Sequence, residues 1–238
     1  MWMPARSLER EYMDDHEPPQ PVVHEVYRFL EGINRWLGGH RATLERFRQF
    51  SRGWKPGQRI EVLEVAAGGG DFARALVRWG RTRGFDIHVT ALDISPSALR
   101  TGRREAGVRL VCGDVHHVPL KPGGVDYVTA ALFFHHLTEA EVVSALRTFD
   151  RLATRGIVVN DLIRRWRLFA WSWLLTRPFN AVLRQDGPLS VRRAFLPREL
   201  EALARSAGLP WLTVREHLGH RMTLAGERAR ADRRDAGS

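Results

Sequence analysis

The sequence predicts an α/β fold, a mostly parallel sheet with helices on both faces. Three observations carry this. From Ile60 to Leu162, short apolar runs rich in valine and isoleucine alternate with stretches of helical apolar spacing. A small-residue turn, Ala66-Ala67-Gly68-Gly69-Gly70, joins the first run to the first helix of that series. After the fifth run, two β-like segments separated by a short turn predict an antiparallel pair that closes the sheet.

Each element has its own signal. Residues 1–20 are polar, contain Pro18 and Pro19, and read as an arm or loop. Val22, Val23, Val26, Tyr27, Phe29, Leu30, Ile33, Trp36 and Leu37 recur at helical spacing, and Gly38-Gly39 ends that helix. Ala42, Leu44, Phe47 and Phe50 mark a second helix, and "RGWKPGQ" is a turn-rich break. "RIEVLEVAA" is a strand, "DFARALVRWG" a helix closed by Gly80, and "DIHVTALDI" a strand. Ser95 caps the next helix and Pro96 occupies its first turn. "VRLVCGD" and "GVDYVTAALF" are the third and fourth strands. Thr138 to Glu141 form a capping box ahead of the helix "EVVSALRTFDRL", and "RGIVVNDL" is the fifth strand. "PRELEALARSAGLP" is a helix, followed by the strands "WLTVREH" and "HRMTLAG". The expected organisation is a helical arm or lid at 1–54, a core at 55–226 with a helical insertion at about 162–190, and a mobile tail at 227–238.

Composition narrows the class. With 238 residues and 44% hydrophobic residues the chain can build one sizeable core. Its lone cysteine, Cys112, excludes an internal disulfide framework and a multi-cysteine zinc site. No signal-peptide layout and no apolar run of bilayer-spanning length are present, so a soluble, cytoplasmic protein is expected. The formal charge is +10, and only Lys55 and Lys121 among the 37 basic residues are lysine. The arginines are spread along the chain without a compact aromatic-interleaved cluster, which disfavours a nucleic-acid partner.

The small-residue turn lies where a parallel sheet binds ligands, beyond the carboxyl ends of its strands. Its spacing does not match G-x-G-x-x-G: Ala73 stands three residues after Gly70, and Asp71 follows the glycines directly. An acid there would repel a pyrophosphate but suits a sulfonium or an amine. Asp93 ends the second strand and Asp114 the third. Carboxylates at those places can accept from ribose hydroxyls and from an adenine amine, so the set suits a nucleoside without phosphates. Taken singly, Glu64 could cap a helix and Asp93 or Asp114 could be a plain turn acid, but the three together point to a ligand.

The segments "LEVAAGGG", "ALDISPSAL", "CGDVHHVPL" and "VDYVTAALFFHHL" together resemble the class I S-adenosylmethionine-dependent methyltransferases over roughly residues 55 to 225. The resemblance implies a Rossmann-like, seven-stranded, mostly parallel sheet with an antiparallel C-terminal strand, and S-adenosylmethionine as cofactor. It implies that Glu64, Ala66, Gly68 and Gly70 surround the methionine part, Asp93 and Ile94 the ribose side, and Asp114 and Val115 the adenine edge. Ala66 departs from the family's usual first glycine. The segment "VVNDLIRRWRLFAWSWLL" through "RRAFLPREL" is similar to small-molecule methyltransferases of bacterial polyketide and quinone-type pathways. In these, the helical insertion covers a small-molecule acceptor.

The insertion helix is apolar on most sides and bracketed by Arg164, Arg165, Arg167 and Arg177. It packs as a lid, lines an acceptor pocket, or gives residues 166–179 a weak contact with a membrane surface. Tyr27 and Trp36 from the arm, His136, and Arg192 beside Arg193 are candidate acceptor contacts. His135-His136 follow the fourth strand, where a proton acceptor for a hydroxyl acceptor can stand. Strand alternation turns at most one of the two toward the methyl group, and His135 is favoured, either as base or as a structural hydrogen-bonding residue. His116-His117 are assigned to packing by the cofactor or to the surface. No metal site is expected, because adjacent histidines rarely share one ion and no carboxylate-rich cluster stands beside them. The expected function is transfer of the sulfonium methyl group, by in-line displacement, to a small, hydroxylated, aromatic or polyketide/quinol-like acceptor, at oxygen in preference to carbon. The competing classes are a non-catalytic protein of the same fold, an NAD-dependent oxidoreductase, and an RNA or protein methyltransferase.

Overall fold

The computed structural model describes residues 3, 5–15, 18–118 and 120–228. Three helices precede the sheet: α1 (Tyr12–Asp15), α2 (Gln20–Trp36) and α3 (Gly39–Phe50). The sheet elements then alternate as β1 (Arg59–Val65), α4 (Asp71–Thr82), β2 (Asp86–Asp93), α5 (Pro96–Leu99), β3 (Val108–Cys112), β4 (Val125–Ala131), α6 (Glu139–Leu152) and β5 (Ala153–Leu162). The chain ends in α7 (Trp166–Thr176), α8 (Ala181–Arg193), α9 (Pro197–Ser206), β6 (Thr213–His217) and β7 (Arg221–Glu227).

The seven strands run in the order β3-β2-β1-β4-β5-β7-β6. β1 to β5 are mutually parallel, and β7 inserts antiparallel between β5 and β6. β1 shows how period two places the site. Leu63 and Val65 enter the core on one face, with α6 and α9; Ile60 and Val62 enter the core on the other, with α3 and α4. Glu64 shares the parity of Ile60 and Val62 but stands at the carboxyl end, 2% exposed, where the layer opens into a cavity.

Several boundaries move. α4 runs past Gly80, because this glycine lets the helix seat on Ile87: a Cβ there would lie 2.6 Å from Ile87 Cδ1. α8 continues through Gly187-Pro188, so Arg192 and Arg193 sit in its last turn. Glu227 ends β7, and Arg228 bonds Asp150 at 2.5 Å, so the expected mobile tail does not begin at 227. Residues 229–238 lie outside the described residues. Among the described residues, no helix is long and apolar enough to cross a membrane.

Candidate active site

A cavity of about 1150 Å³ opens at the carboxyl ends of β1, β4 and β5, between the sheet, α2 and the α7–α8 insertion. Glu64, Ala66, Gly68, Asp93, His135, His136, Tyr27 and Trp36 all line it. The turn after β1 reaches it through left-handed φ at Ala66 (54°), Gly68 (54°) and Gly70 (69°). For Ala66 that conformation costs about 1–2 kcal/mol. It is held by the bond from Ala67 N to Leu92 O (3.0 Å) and from Gly68 N to Asp93 Oδ2 (2.7 Å). The Tyr27 ring lies on Gly68 so closely that a Cβ there would be 2.5 Å from Tyr27 Cε1.

Asp93 also accepts from Ser95 N at 2.9 Å; burial raises its pKa, and these two amides offset part of the rise. Glu64 is held well above the carboxylate range by burial and by neighbouring Asp71, and its Oε2 is buried without a partner. Asp71 opens α4 and accepts from His40 (2.8 Å) and Asn34 (3.4 Å), and its pKa is lowered because His40 and Asn34 outweigh burial. Arg221 is 2% exposed beside it, bonds Asn34 Oδ1 at 3.2 Å, and has a buried, unpartnered Nη1; burial lowers its pKa to about 10. Orphaned polar atoms in a cavity wall are costly unless a ligand meets them. A ligand carrying cationic groups and a carboxylate, as S-adenosylmethionine does, fits this donor set.

Other expected cofactor residues stand apart. Gly70 caps α4 against Leu110, and Val115 belongs to the core under α6. Ile94 is 71% exposed, and Asp114 holds His117 Nδ1 at 3.1 Å; neither lines the cavity. His117 is exposed, and His116's side chain is outside what is described. Arg192 faces outward toward Glu9 at 3.7 Å; its neighbour Arg193 is the buried one.

His135 and His136 lie on a 3-10 turn, Phe134–His136, and not on a strand. Strand alternation therefore does not separate them: the rings are 4.2 Å apart and both line the cavity. His135 Nδ1 donates to Asp161 Oδ1 at 2.7 Å, and His135 N to Asp161 Oδ2 at 3.0 Å. Burial pushes Asp161 up, but the His135 contacts outweigh it and hold the carboxylate below its usual range. With Nδ1 turned to Asp161, Nε2 faces Glu11 Oε1 at 3.7 Å. His136 Nδ1 is held by Asp14 at 2.6 Å, and Arg193 binds the other Asp14 oxygen at 2.7 Å. Glu11 is 5% exposed, lies 3.9 Å from His136 Nε2, and has an unpartnered Oε1; burial raises its pKa to about 7.

The pair is thus surrounded by Glu11, Asp14 and Asp161. The premise that no carboxylate cluster stands beside it is corrected: the acids arrive from the N-terminal arm and from β5. Asp161 was findable as an acid at a strand's carboxyl end, by the logic that picked Asp93. Glu11 and Asp14 had no such signal.

The protein-family profile described as "Methyltransferase domain" matches residues 62–156, the segment from β1 to β5 that carries Glu64, Asp93 and His135. This segment is therefore similar to the methyltransferase domain, in keeping with the resemblance to the class I S-adenosylmethionine-dependent methyltransferases. The chain is 31% identical over 110 residues to an uncharacterized methyltransferase of Geobacillus sp. (strain WCH70), covering 44% of this chain and 49% of the relative. It is 29% identical over 143 residues to the ubiquinone/menaquinone biosynthesis C-methyltransferase UbiE of Vibrio parahaemolyticus, covering 57% and 52%. The chain therefore spans about half the length of these curated relatives. In fold it is similar to the plantazolicin methyltransferase BpumL, solved with S-adenosylhomocysteine and a triazolic substrate analogue (TM-score 0.65, 13% identity, 92% of this chain and 93% of that one). It is also similar to an Aquifex aeolicus S-adenosylmethionine-dependent methyltransferase (TM-score 0.59, 15% identity, 90% and 100%).

Proposed function

We propose that the chain moves the methyl group of S-adenosylmethionine to the oxygen of a small, aromatic or quinol-like hydroxylated acceptor, with His135 taking the acceptor's proton. One observation carries the reading: His135, held by Asp161 from behind, lines the same cavity as Glu64, Gly68 and Asp93. When bound, S-adenosylmethionine supplies an electrophilic methyl group on a sulfonium. Asp93 accepts from the ribose hydroxyls, Glu64 and Asp71 face the cationic groups, and Arg221 Nη1 meets the carboxylate. Asp161 fixes the His135 ring and stabilises the imidazolium formed when Nε2 accepts the proton. Tyr27, Phe133 and Leu168 offer apolar surface for the acceptor, and the docked N-terminal arm excludes water.

Transfer of labelled methyl from S-adenosylmethionine to a panel of phenols, quinols and polyketides tests this. An O-methylated product supports the reading. A C-methylated product, the reaction in the UbiE name, overturns the oxygen assignment. S-adenosylhomocysteine binding without turnover of any acceptor would favour a non-catalytic protein, and calorimetric binding of NAD alone would sink the reading altogether.

A further inference from the structure

The cavity opens through an apolar mouth. Five residues both line it and stand in solvent: Trp36 (77% exposed), Leu37 (48%), Trp171 (56%), Leu175 (40%) and Leu218 (87%). They come from the end of α2, from α7 and from the β6–β7 turn. The two turns touch, since a Cβ on Gly219 would lie 2.4 Å from Leu37 O. α7 extends the surface outward with Trp166 (45%), Trp173 (48%) and Leu174 (55%), none of which lines the cavity. A helix apolar on nearly every side is ordinarily buried; this one packs on α8 and leaves its aromatic side open.

Cations border this surface. Arg35 lies over the Trp36 ring at 5.0 Å and Arg177 over Trp173 at 4.3 Å, while Arg41 and Arg167 are exposed nearby. The acids of the rim are already engaged: Glu45 by Arg215 at 2.9 Å, and Glu216 by Arg165 at 2.5 Å. The border therefore keeps a net positive charge.

We infer that this mouth docks on an anionic lipid bilayer, and that the acceptor is an amphiphile entering from it, tail toward the mouth and hydroxylated head at His135. The head's chemistry rests on the methyltransferase reading; the docking does not. Tryptophan and arginine flanking leucine are the side chains that favour a headgroup boundary. A second copy of the chain would meet this surface with the same positive border, whereas acidic headgroups complement it.

Flotation of the full chain with vesicles tests the inference. Vesicles of phosphatidylcholine plus phosphatidylglycerol should carry the protein, and phosphatidylcholine alone should carry far less. Arg41→Gln and Arg167→Gln should each weaken binding about fivefold. The double variant Trp173→Ser/Leu174→Ser should weaken it about tenfold or more. S-adenosylhomocysteine affinity should be unchanged in all of these, which shows that the fold is intact. Asp93→Ala should float like wild type while losing S-adenosylhomocysteine. Absence of flotation with both vesicles overturns the inference while leaving the cofactor reading in place. So does flotation that the double variant leaves unchanged, or a self-association that the double variant abolishes. Flotation of a protein that binds no S-adenosylhomocysteine would instead leave the surface standing and sink the cofactor reading.

Discussion

His135 shows what one residue needs from its neighbours. Its ring is oriented by Asp161, which bonds both the ring Nδ1 and the backbone amide. If the ring is the proton acceptor, His135→Ala and Asp161→Asn should each lower turnover about 10²-fold or more, with S-adenosylhomocysteine affinity kept. Stopped-time transfer assays beside calorimetry check this; unchanged turnover in His135→Ala removes it as base. Arg221 gives a second residue-scale test, since its buried Nη1 lacks a partner. Losing one charged hydrogen bond is worth about 1.5–3 kcal/mol. Arg221→Met should therefore weaken S-adenosylhomocysteine binding by at least about tenfold. It should leave methylthioadenosine, which has no amino-acid end, unaffected. Equal losses for both ligands would mean a general structural role.

At the scale of elements, the site depends on how helices begin and where they rest. The N-cap of α6, Thr138, stands two residues after the histidine pair in a capping box: Glu141 N donates to Thr138 Oγ1 at 3.3 Å and Thr138 N to Glu141 Oε2 at 2.7 Å. Thr138→Ala should cost about 1 kcal/mol in urea unfolding. Because the cap abuts the Phe134–His136 turn, it should also slow turnover more than it weakens the cofactor. α8 is the element that ties the arm down. Its Asp186 accepts from Tyr12 N at 2.8 Å and Met13 N at 3.2 Å, and its Arg193 donates to the carbonyls of His135 (3.0 Å) and His136 (2.7 Å).

Across the whole molecule, the arm closes the cavity by setting Glu11 across the Nε2 atoms of both histidines and by stitching Arg6 to Leu137 O at 2.6 Å. Glu11 carries a pKa of about 7 when docked, raised by burial from 4.5. A carboxyl raised on docking takes up a proton, so docking is strongest at low pH and weakens as pH rises from about 4.5 to about 7. Hydrogen exchange of residues 5–15 should accordingly be faster at pH 8 than at pH 5, after correction for intrinsic rates. Glu11→Gln should remove most of that difference; an unchanged difference would place the proton elsewhere.

Much of this was legible in the residues. Alternating periods announced the parallel sheet, and the closing strands were readable from "WLTVREH" and "HRMTLAG". Glu64, Asp93 and His135 were readable because a ligand in such a sheet meets strand ends, and strand ends are local features. The sequence by itself determined the architecture and the strand-end positions of Glu64 and Asp93. Only the tertiary structure decided what surrounds the histidine pair. Asp14 meets His136 across 122 residues, and Asp186 meets the arm across 174. Those contacts carry no period and no local signature. The same is true of α8, which stays helical through Gly187-Pro188 because it packs on α7: a Cβ on Gly187 would lie 2.7 Å from Thr176 Cγ2. Local spacing tells a residue which face it is on; which buried charge it must satisfy is settled only when distant segments are brought together.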